Sequence, residues 1–260
     1  MMKCLRYARY VVLGAGGIGL LLRLWLLQVG TDARGLYPAG HVSQILLLLM
    51  TLATLVFLLL TRSTGTGGHF ASNFPKSVLT AAGNWVTALM LLWVNLPLLT
   101  DMSDVLGCIG GIFGLLAALA LVIVGWHRLK GKQPGAPVHV LPCLYFLVLT
   151  FQMARQFGAE PELIRFLPQF LAVAASALAG YQLWGFDVGA GNRRKSLFWS
   201  FTAGYFSLVA IPGGGLLYGA LAVWHLTGHC ALHGQTIKVA EPDDQEPQVD
   251  MPPLTEENDL

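Results

Sequence analysis

The chain has 260 residues, of which 55% are hydrophobic and 12% are charged, and its formal net charge is +2. Soluble domains carry a charged share of about 25%, so this chain lacks the polar residues needed to coat a water-soluble domain. The small net charge and the lack of a basic domain argue against a nucleic-acid-binding protein. The four cysteines stand singly and form no CxxC pair, which argues against a disulfide framework or a zinc ribbon.

Apolar residues occur in long runs rather than at amphipathic spacing. A helix that crosses a hydrocarbon core of about 30 Å needs about 20 such residues. Within lipid every backbone polar group must pair internally, so repeated runs of this length indicate helices. The sequence therefore predicts an all-α, polytopic integral membrane helical bundle with about eight transmembrane helices. The predicted spans are Tyr10–Gln28, Val42–Thr61, Ser77–Leu98, Val105–His127, Val138–Ala154, Leu163–Trp184, Ser196–Ile211 and Leu216–Ala231.

The last two spans are separated only by a short break in one apolar stretch, Leu197–Cys230. As a single helix this stretch would be about 51 Å long, well beyond the thickness of a bilayer. Proline and glycine disfavour helix, so Pro212–Gly215 predicts a tight turn between two short spans. A kinked or re-entrant arrangement is the alternative.

Lysine and arginine residues predict the orientation, because cytoplasmic loops carry an excess of both. Twelve basic residues fall in one set of segments and three in the opposite set, which predicts that both termini are cytoplasmic (N-in/C-in). The twelve are Lys3, Arg6, Arg9, Arg62, Lys76, Arg128, Lys130, Lys132, Arg193, Arg194, Lys195 and Lys238, and the three are Arg34, Arg155 and Arg165.

Two regions of different character divide the chain. Residues 1–235 are predicted to form the transmembrane bundle, and the first span is expected to remain uncleaved because no small-x-small cleavage site follows it. Residues 236–260 are rich in proline and acidic side chains, which predicts a disordered acidic cytoplasmic tail. The short loops and the absence of an Asn-x-Ser/Thr sequon favour a bacterial plasma (inner) membrane.

Small residues recur at four-residue spacing, which lets helix backbones approach one another. Gly107/Gly111 and Gly110/Gly114 form two overlapping GxxxG frames, and Gly215/Gly219 form another. In the first span, Gly14–Gly19 matches the GxGxxG nucleotide fingerprint, but no βαβ unit follows it. The pair Ala15 and Gly19 therefore predicts close helix packing instead. The GxxxG faces also offer contacts to a second copy or to other membrane subunits.

Candidate ligand-binding residues cluster on the predicted outer side. Arg23 lies within the first span, where it either snorkels to the headgroups or pairs with a carboxylate inside the bundle. The following loop is constrained by glycine and proline and could cap a ligand site. Acidic residues outnumber basic ones on this side, which weakly favours a cationic ligand. The candidate substrate-binding residues are Arg23, Asp32, Arg34, Tyr37, His41, Asp101 and Asp104.

The last span carries a histidine face formed by His225, His229 and His233. Residues four apart share one side of a helix, and two such imidazoles can hold one metal ion. The three rise about 6 Å per step, so at most two can share an ion. The segment also lacks the glutamate of an HExxH motif. These residues are candidate metal ligands, but we expect no bound metal or cofactor.

Three functional hypotheses follow, and no catalytic motif favours an enzyme. The first is a small transporter or permease-like subunit, supported by polar residues within the spans: Arg23, Asn84, Asn95, Gln152, Gln169 and Gln182. The second is a membrane redox or metal enzyme that uses the histidines of the last helix. The third is a structural or sensory protein whose acidic tail binds a cytoplasmic partner. The expected partner common to all three is the lipid bilayer.

Overall fold

The computed structural model describes residues 2–29, 40–61, 70–100, 104–157 and 163–228. The regular elements within these ranges are all helices. Eight are long, a ninth has four residues, and a single 3-10 turn follows α4. They are α1 (Met2–Gln28), α2 (Val42–Leu60), α3 (Phe70–Asn73), α4 (Val78–Asn95), the 3-10 turn (Pro97–Leu99), α5 (Val105–Lys130), α6 (Ala136–Phe157), α7 (Leu163–Asp187), α8 (Arg193–Gly214) and α9 (Leu216–Gly228).

The predicted all-α fold is confirmed, and each of the eight predicted spans coincides with a helix. Six of these helices (α1, α2 and α4 to α7) are long and apolar enough to cross a membrane. Their outward faces carry large apolar side chains that lipid, unlike water, would solvate favourably. Examples that are between 66% and 77% exposed are Leu48, Leu60, Leu89, Trp93 and Phe151. The acidic tail, 236–260, lies outside the described residues.

The long helices that follow one another in the chain run antiparallel. The backbone N–H of Ser77, just before α4, donates to the carbonyl of Arg128 near the end of α5. The Thr80 hydroxyl in the first turn of α4 donates to the carbonyl of Thr227 in the last turn of α9. Arg194 at the start of α8 likewise reaches Leu59 at the end of α2. We call this end of the bundle, where α4, α6 and α8 begin and α5, α7 and α9 end, the basic end. The opposite end is called the far end.

Six helices close into a ring. Each of α4 to α8 packs against the next helix in the chain, and α9 packs back against α4. The hairpin of α1 and α2 lies outside the ring, with α1 along α8. The ring therefore has an interior that is separated from the surroundings by α4 to α9.

Helix α8 is the most enclosed helix, because α1, α2, α7 and α9 all contact it. Thirteen of its 22 residues are buried, including Ser196, Ser200, Thr202 and Ser207. A helix covered by other helices need not be apolar all round. This position explains why α8 is less apolar than the six helices that face outward.

The turn between α8 and α9 is narrower than the sequence predicts. Pro212, Gly213 and Gly214 remain in the last turn of α8, and only Gly215 leaves the helix. Gly215 has φ +63° and ψ −134°, a conformation that side chains with a Cβ rarely adopt. Gly204 of α8 packs against Leu226 of α9, so the two helices form an antiparallel hairpin.

The predicted small-residue faces lie against neighbouring helices of the same chain. A Cβ at Gly19 would meet Val209 of α8 at 2.7 Å, which supports helix packing for the GxGxxG segment. Gly110 faces Gln152 of α6, and Gly114 faces Asn95 of α4. The oligomer through GxxxG faces stays a prediction.

Gly83→Ala should lower the thermal unfolding temperature of the purified protein. A Cβ at residue 83 would collide with the Thr227 side chain on α9, and overpacking of this kind costs about 1–3 kcal/mol. The matched control is Gly14→Ala, because a Cβ there meets nothing within 4 Å. Both substitutions gain the same helix propensity. Equal unfolding temperatures for the two variants would contradict the close α4–α9 contact.

Candidate functional site

The candidate site is a small cavity inside the ring, near the basic end. Its volume is about 20 Å³, room for roughly one water-sized ligand. Each of the six ring helices contributes to its wall, so the site exists only when the whole ring is assembled. The lining residues are Thr80, Asn84, Val124, Arg128, His139, Leu183, Ser200, Trp224, His225 and Gly228.

Arg128 is the main charged group of the cavity wall and is only 3% exposed. Its guanidinium carbon lies 4.0 Å from the ring centre of Phe74 and 4.6 Å from that of Phe70. Such cation–π contacts contribute about 0.5–2 kcal/mol each. Its Nε and Nη1 atoms nevertheless have no hydrogen-bond partner among the described residues. The cavity therefore borders a cation whose donors are unsatisfied.

His139 and Asp187 form a buried pair beside Arg128. The Nδ1 atom of His139 lies 2.5 Å from Oδ2 of Asp187, and the two side chains are 3% and 0% exposed. The pair joins the start of α6 to the end of α7, and Gln133 donates to the Asp187 carbonyl at the same place. The second carboxylate oxygen, Oδ1, has no partner within the described ranges.

The short helix α3 covers this cluster from the basic end. Phe70 and Phe74 are 2% and 3% exposed, and their rings stack at 4.7 Å. Besides contacting Arg128, the Phe70 ring lies 5.9 Å from that of His139, and the Phe74 ring lies 5.1 Å from that of Phe186. Two aromatic rings thus separate the charged cluster from the surroundings.

His225 lies deeper in the ring and is engaged by α7. Its Nε2 atom lies 2.9 Å from the Ser176 hydroxyl oxygen, and the single proton of that hydroxyl is donated to the carbonyl of Ala172 at 2.7 Å. Its ring contacts that of Trp224 at 4.6 Å. In the described part of the chain no carboxylate bonds to His225, so the Ser176–His225 pair lacks the third group of a hydrolase triad.

Hydroxyl groups continue from the cavity along α8. Ser196, Ser200 and Ser207 lie within about 40° of one another around the helix, so they share one face over about 16 Å. This face is opposite to the one that α1 covers. None of these three hydroxyls has a hydrogen-bond partner among the described residues. Because Ser200 lines the cavity, this hydroxyl face points into the ring.

Beyond the cavity the ring interior is closed by large side chains. Leu91, Leu121, Tyr145, Phe146 and Leu221 are each at most 1% exposed. On their far side, the Asn95 amide donates to the Tyr145 hydroxyl at 3.0 Å. The cavity is therefore confined to the basic half of the bundle.

The structure places some of the predicted substrate-binding residues elsewhere. Arg23 is 2% exposed, so its side chain is buried, and its pairing with a carboxylate stays a prediction. Its helix packs mainly on α2 and α8, whereas Asp104 is exposed at the start of α5, over Gly107. His41 is the N-cap of α2, where its Nδ1 accepts from the backbone N–H of Ser43. Asp32, Arg34, Tyr37 and Asp101 lie outside the described residues.

Of the predicted metal ligands, only His225 lies in the described part of the chain. His229 and His233 lie outside it. Within the described residues, no group of three or more His, Cys, Asp or Glu side chains is arranged to hold a metal ion. The histidine metal site stays a prediction.

Sequence reasoning missed Arg128, His139 and Asp187 as a cluster. Arg128 and Asp187 lie just beyond the predicted ends of their spans, where charges are normally solvated. The helices extend further than predicted, to Lys130 and Asp187, which brings both side chains into the bundle. The signal in the sequence was an acidic residue, Asp187, in a segment otherwise predicted to carry the cytoplasmic basic residues.

No protein family, no curated protein and no solved structure matches this chain. The class of the protein therefore follows from its own features. An all-helical chain with six helices that could cross a membrane and an apolar outer surface is typical of a multi-pass membrane protein.

Asp187→Asn should destabilise the protein by about 3–5 kcal/mol, because it breaks the buried pair with His139 and removes a negative charge that attracts the Arg128 guanidinium. The measurement is denaturant unfolding in detergent. Asp104→Asn is the control, since that carboxylate is exposed. Joint replacement of His139 and Asp187 by leucine should recover part of the loss. If Asp187→Asn is as stable as Asp104→Asn, the pair is not a structural element.

Proposed function

We propose that the chain is a small transporter, or a permease-like subunit, of a bacterial plasma membrane. In this proposal eight helices cross the membrane, both termini are cytoplasmic, and the basic end faces the cytoplasm. The ring of α4 to α9 encloses the route of a small polar solute. The cavity to which all six ring helices contribute is the observation that carries the proposal.

The direction of the helices supports the proposed topology. Eight antiparallel helices return the chain to the end at which it began. Of the basic residues in the described ranges, three lie toward the far end, namely Arg23, Arg155 and Arg165. Ten lie at the basic end, namely Lys3, Arg6, Arg9, Lys76, Arg128, Lys130, Lys132, Arg193, Arg194 and Lys195. This asymmetry favours a cytoplasmic basic end.

The lengths and contacts of α8 and α9 support the proposal that each of these two helices crosses the membrane. With 22 residues, α8 is about 33 Å long and matches a hydrocarbon core of about 30 Å. The described part of α9 is shorter, yet Thr227 already reaches the first turn of α4. Because α8 is largely enclosed by other helices, it does not need the uniform hydropathy of a lipid-facing span, and α9 is apolar although its described part has only 13 residues.

The polar interior supports transport over a purely structural role. Polar side chains in a membrane bundle are costly and usually mark a solute or ion pathway. Here Ser200 of the hydroxyl face lines the cavity, and Ser207 of the same face lies further from the basic end. The apolar closure at Phe146 and its neighbours separates this half from the amides of Asn95 and Gln169. A closure between two polar regions is what an alternating-access carrier requires.

The proposed topology predicts where added groups are accessible. A reporter fused after Lys238 should behave as cytoplasmic. A cysteine placed at Leu216, which follows the α8–α9 turn and is 41% exposed, should react with an impermeant thiol reagent added from outside intact cells. A periplasmic location of the reporter would mean an odd number of crossings and would contradict this topology.

The proposed route predicts access to the α8 hydroxyl face from both sides. The four natural cysteines are first replaced by alanine, and Ser200→Cys and Ser207→Cys are then made separately. A small water-soluble thiol reagent should modify residue 200 from the cytoplasmic side and residue 207 from the outside. Leu89→Cys is the control, because residue 89 is 67% exposed on the apolar outer surface and should not react.

Each labelling result separates the proposals. Reaction at both positions supports an alternating route through the ring. Reaction at residue 200 from the cytoplasmic side alone would indicate a one-sided pocket, as in a sensor, and would refute transport. No reaction at either position would indicate a closed structural bundle.

A further inference from the structure

We propose that the cavity at the basic end binds a small monovalent anion, such as a halide or formate, through the guanidinium of Arg128. This inference rests on the proposed function, because it names the class of solute that the ring would carry. It differs from the weak preference for a cation that the outer loops suggest. The inference follows from the cavity, where the buried charge of Arg128 borders a space large enough for a small ligand.

The buried Arg128 side chain has donors without an acceptor in the described part of the chain. The side chain is 3% exposed, and its Nε and Nη1 atoms have no acceptor among the described residues. A buried charged donor without an acceptor costs more than a neutral one, so the site favours a ligand that accepts hydrogen bonds. Guanidinium binds anions through parallel N–H donors, which gives strong and directional contacts.

The described groups next to Arg128 do not supply that acceptor. Asp187 bonds to His139 through Oδ2, and in the described residues it forms no ion pair with Arg128. The rings of Phe70 and Phe74 attract the cation but offer no oxygen acceptor. The described neighbours therefore leave the Nε and Nη1 donors of Arg128 available to a bound anion.

The cavity is also small, and polar side chains form part of its lining. A volume of about 20 Å³ admits only a ligand of very few atoms, which excludes sugars, nucleotides and most metabolites. The amide of Asn84 and the hydroxyls of Thr80 and Ser200 also line it and can donate to an anion. The Ser200 hydroxyl has no partner in the described part of the chain, so its proton is free for a ligand. A metal cation would be repelled by Arg128.

The test is anion-dependent thermal unfolding of the full chain in detergent. Sodium chloride and sodium formate are titrated against sodium gluconate, whose anion is too large for the cavity, at constant ionic strength. Binding to the folded state alone raises the unfolding temperature in a saturable way. We expect chloride, formate or both to do so. A second readout is the change in tryptophan fluorescence that Trp224→Phe abolishes, because Trp224 lines the cavity and the other six tryptophans remain.

Substitutions locate the effect. Arg128→Gln should raise the apparent dissociation constant on the order of tenfold to a hundredfold, the loss expected for charge-assisted hydrogen bonds. Arg155→Gln is the control, since this arginine is exposed at the far end. If Arg128→Gln does not fold, Ser200→Val keeps the arginine but fills the cavity, and it should weaken binding as well.

Two results would overturn the inference. The first is that neither anion shifts the unfolding temperature of the unmodified protein. The second is that the anions shift the unfolding temperature of Arg128→Gln or Ser200→Val by as much as that of the unmodified protein. Failure here is distinguishable from failure of transport. Labelling at residues 200 and 207 without an anion effect leaves the transporter with another solute, whereas an anion effect without labelling at 207 leaves a binding site without transport.

Discussion

Helix α8 contacts four neighbouring helices, and its enclosure is the constraint on which the rest of the bundle depends. Because α1, α2, α7 and α9 cover it, its serines never face lipid, and the helix can carry hydroxyls along one side. The cover in turn requires close approach by small residues, such as Gly16 and Gly19 of α1 against Leu208 and Val209. The apolar outer helices therefore serve to shield a polar inner one.

The contacts around Arg128 do not offset the free-energy cost of burying its charge. Burial of an ion costs several kcal/mol even after relaxation, whereas a cation–π contact returns about 0.5–2 kcal/mol. The two phenylalanine rings alone do not offset that cost. Asp187 attracts the guanidinium but is already bonded to His139, so the charges are only partly compensated. Groups left in this state are commonly those that meet a ligand.

The helices were predictable from sequence because bilayer thickness fixes the length of an apolar run, and all eight predicted spans are helices. The site was not predictable from the sequence, for two physical reasons. In a membrane bundle both the core and the lipid-facing surface are apolar, so hydropathy does not tell which face of α4 or α8 is inside. His139 and Asp187 are also 48 residues apart, and only the antiparallel packing of α6 and α7 brings them together.

The two ends of the ring interior differ in chemistry, and this difference bears on how a solute would move. The basic end holds Arg128 with the His139–Asp187 pair, whereas the far end offers the neutral amides of Asn95 and Gln169. A carrier must bind its solute strongly enough for capture and weakly enough for release. An anion that leaves Arg128 needs other hydrogen-bond donors along its path. The side-chain amides of Asn95 and Gln169 can supply them. The Asn95 amide already donates to Tyr145, so opening the closure at Tyr145 would free that donor for the solute.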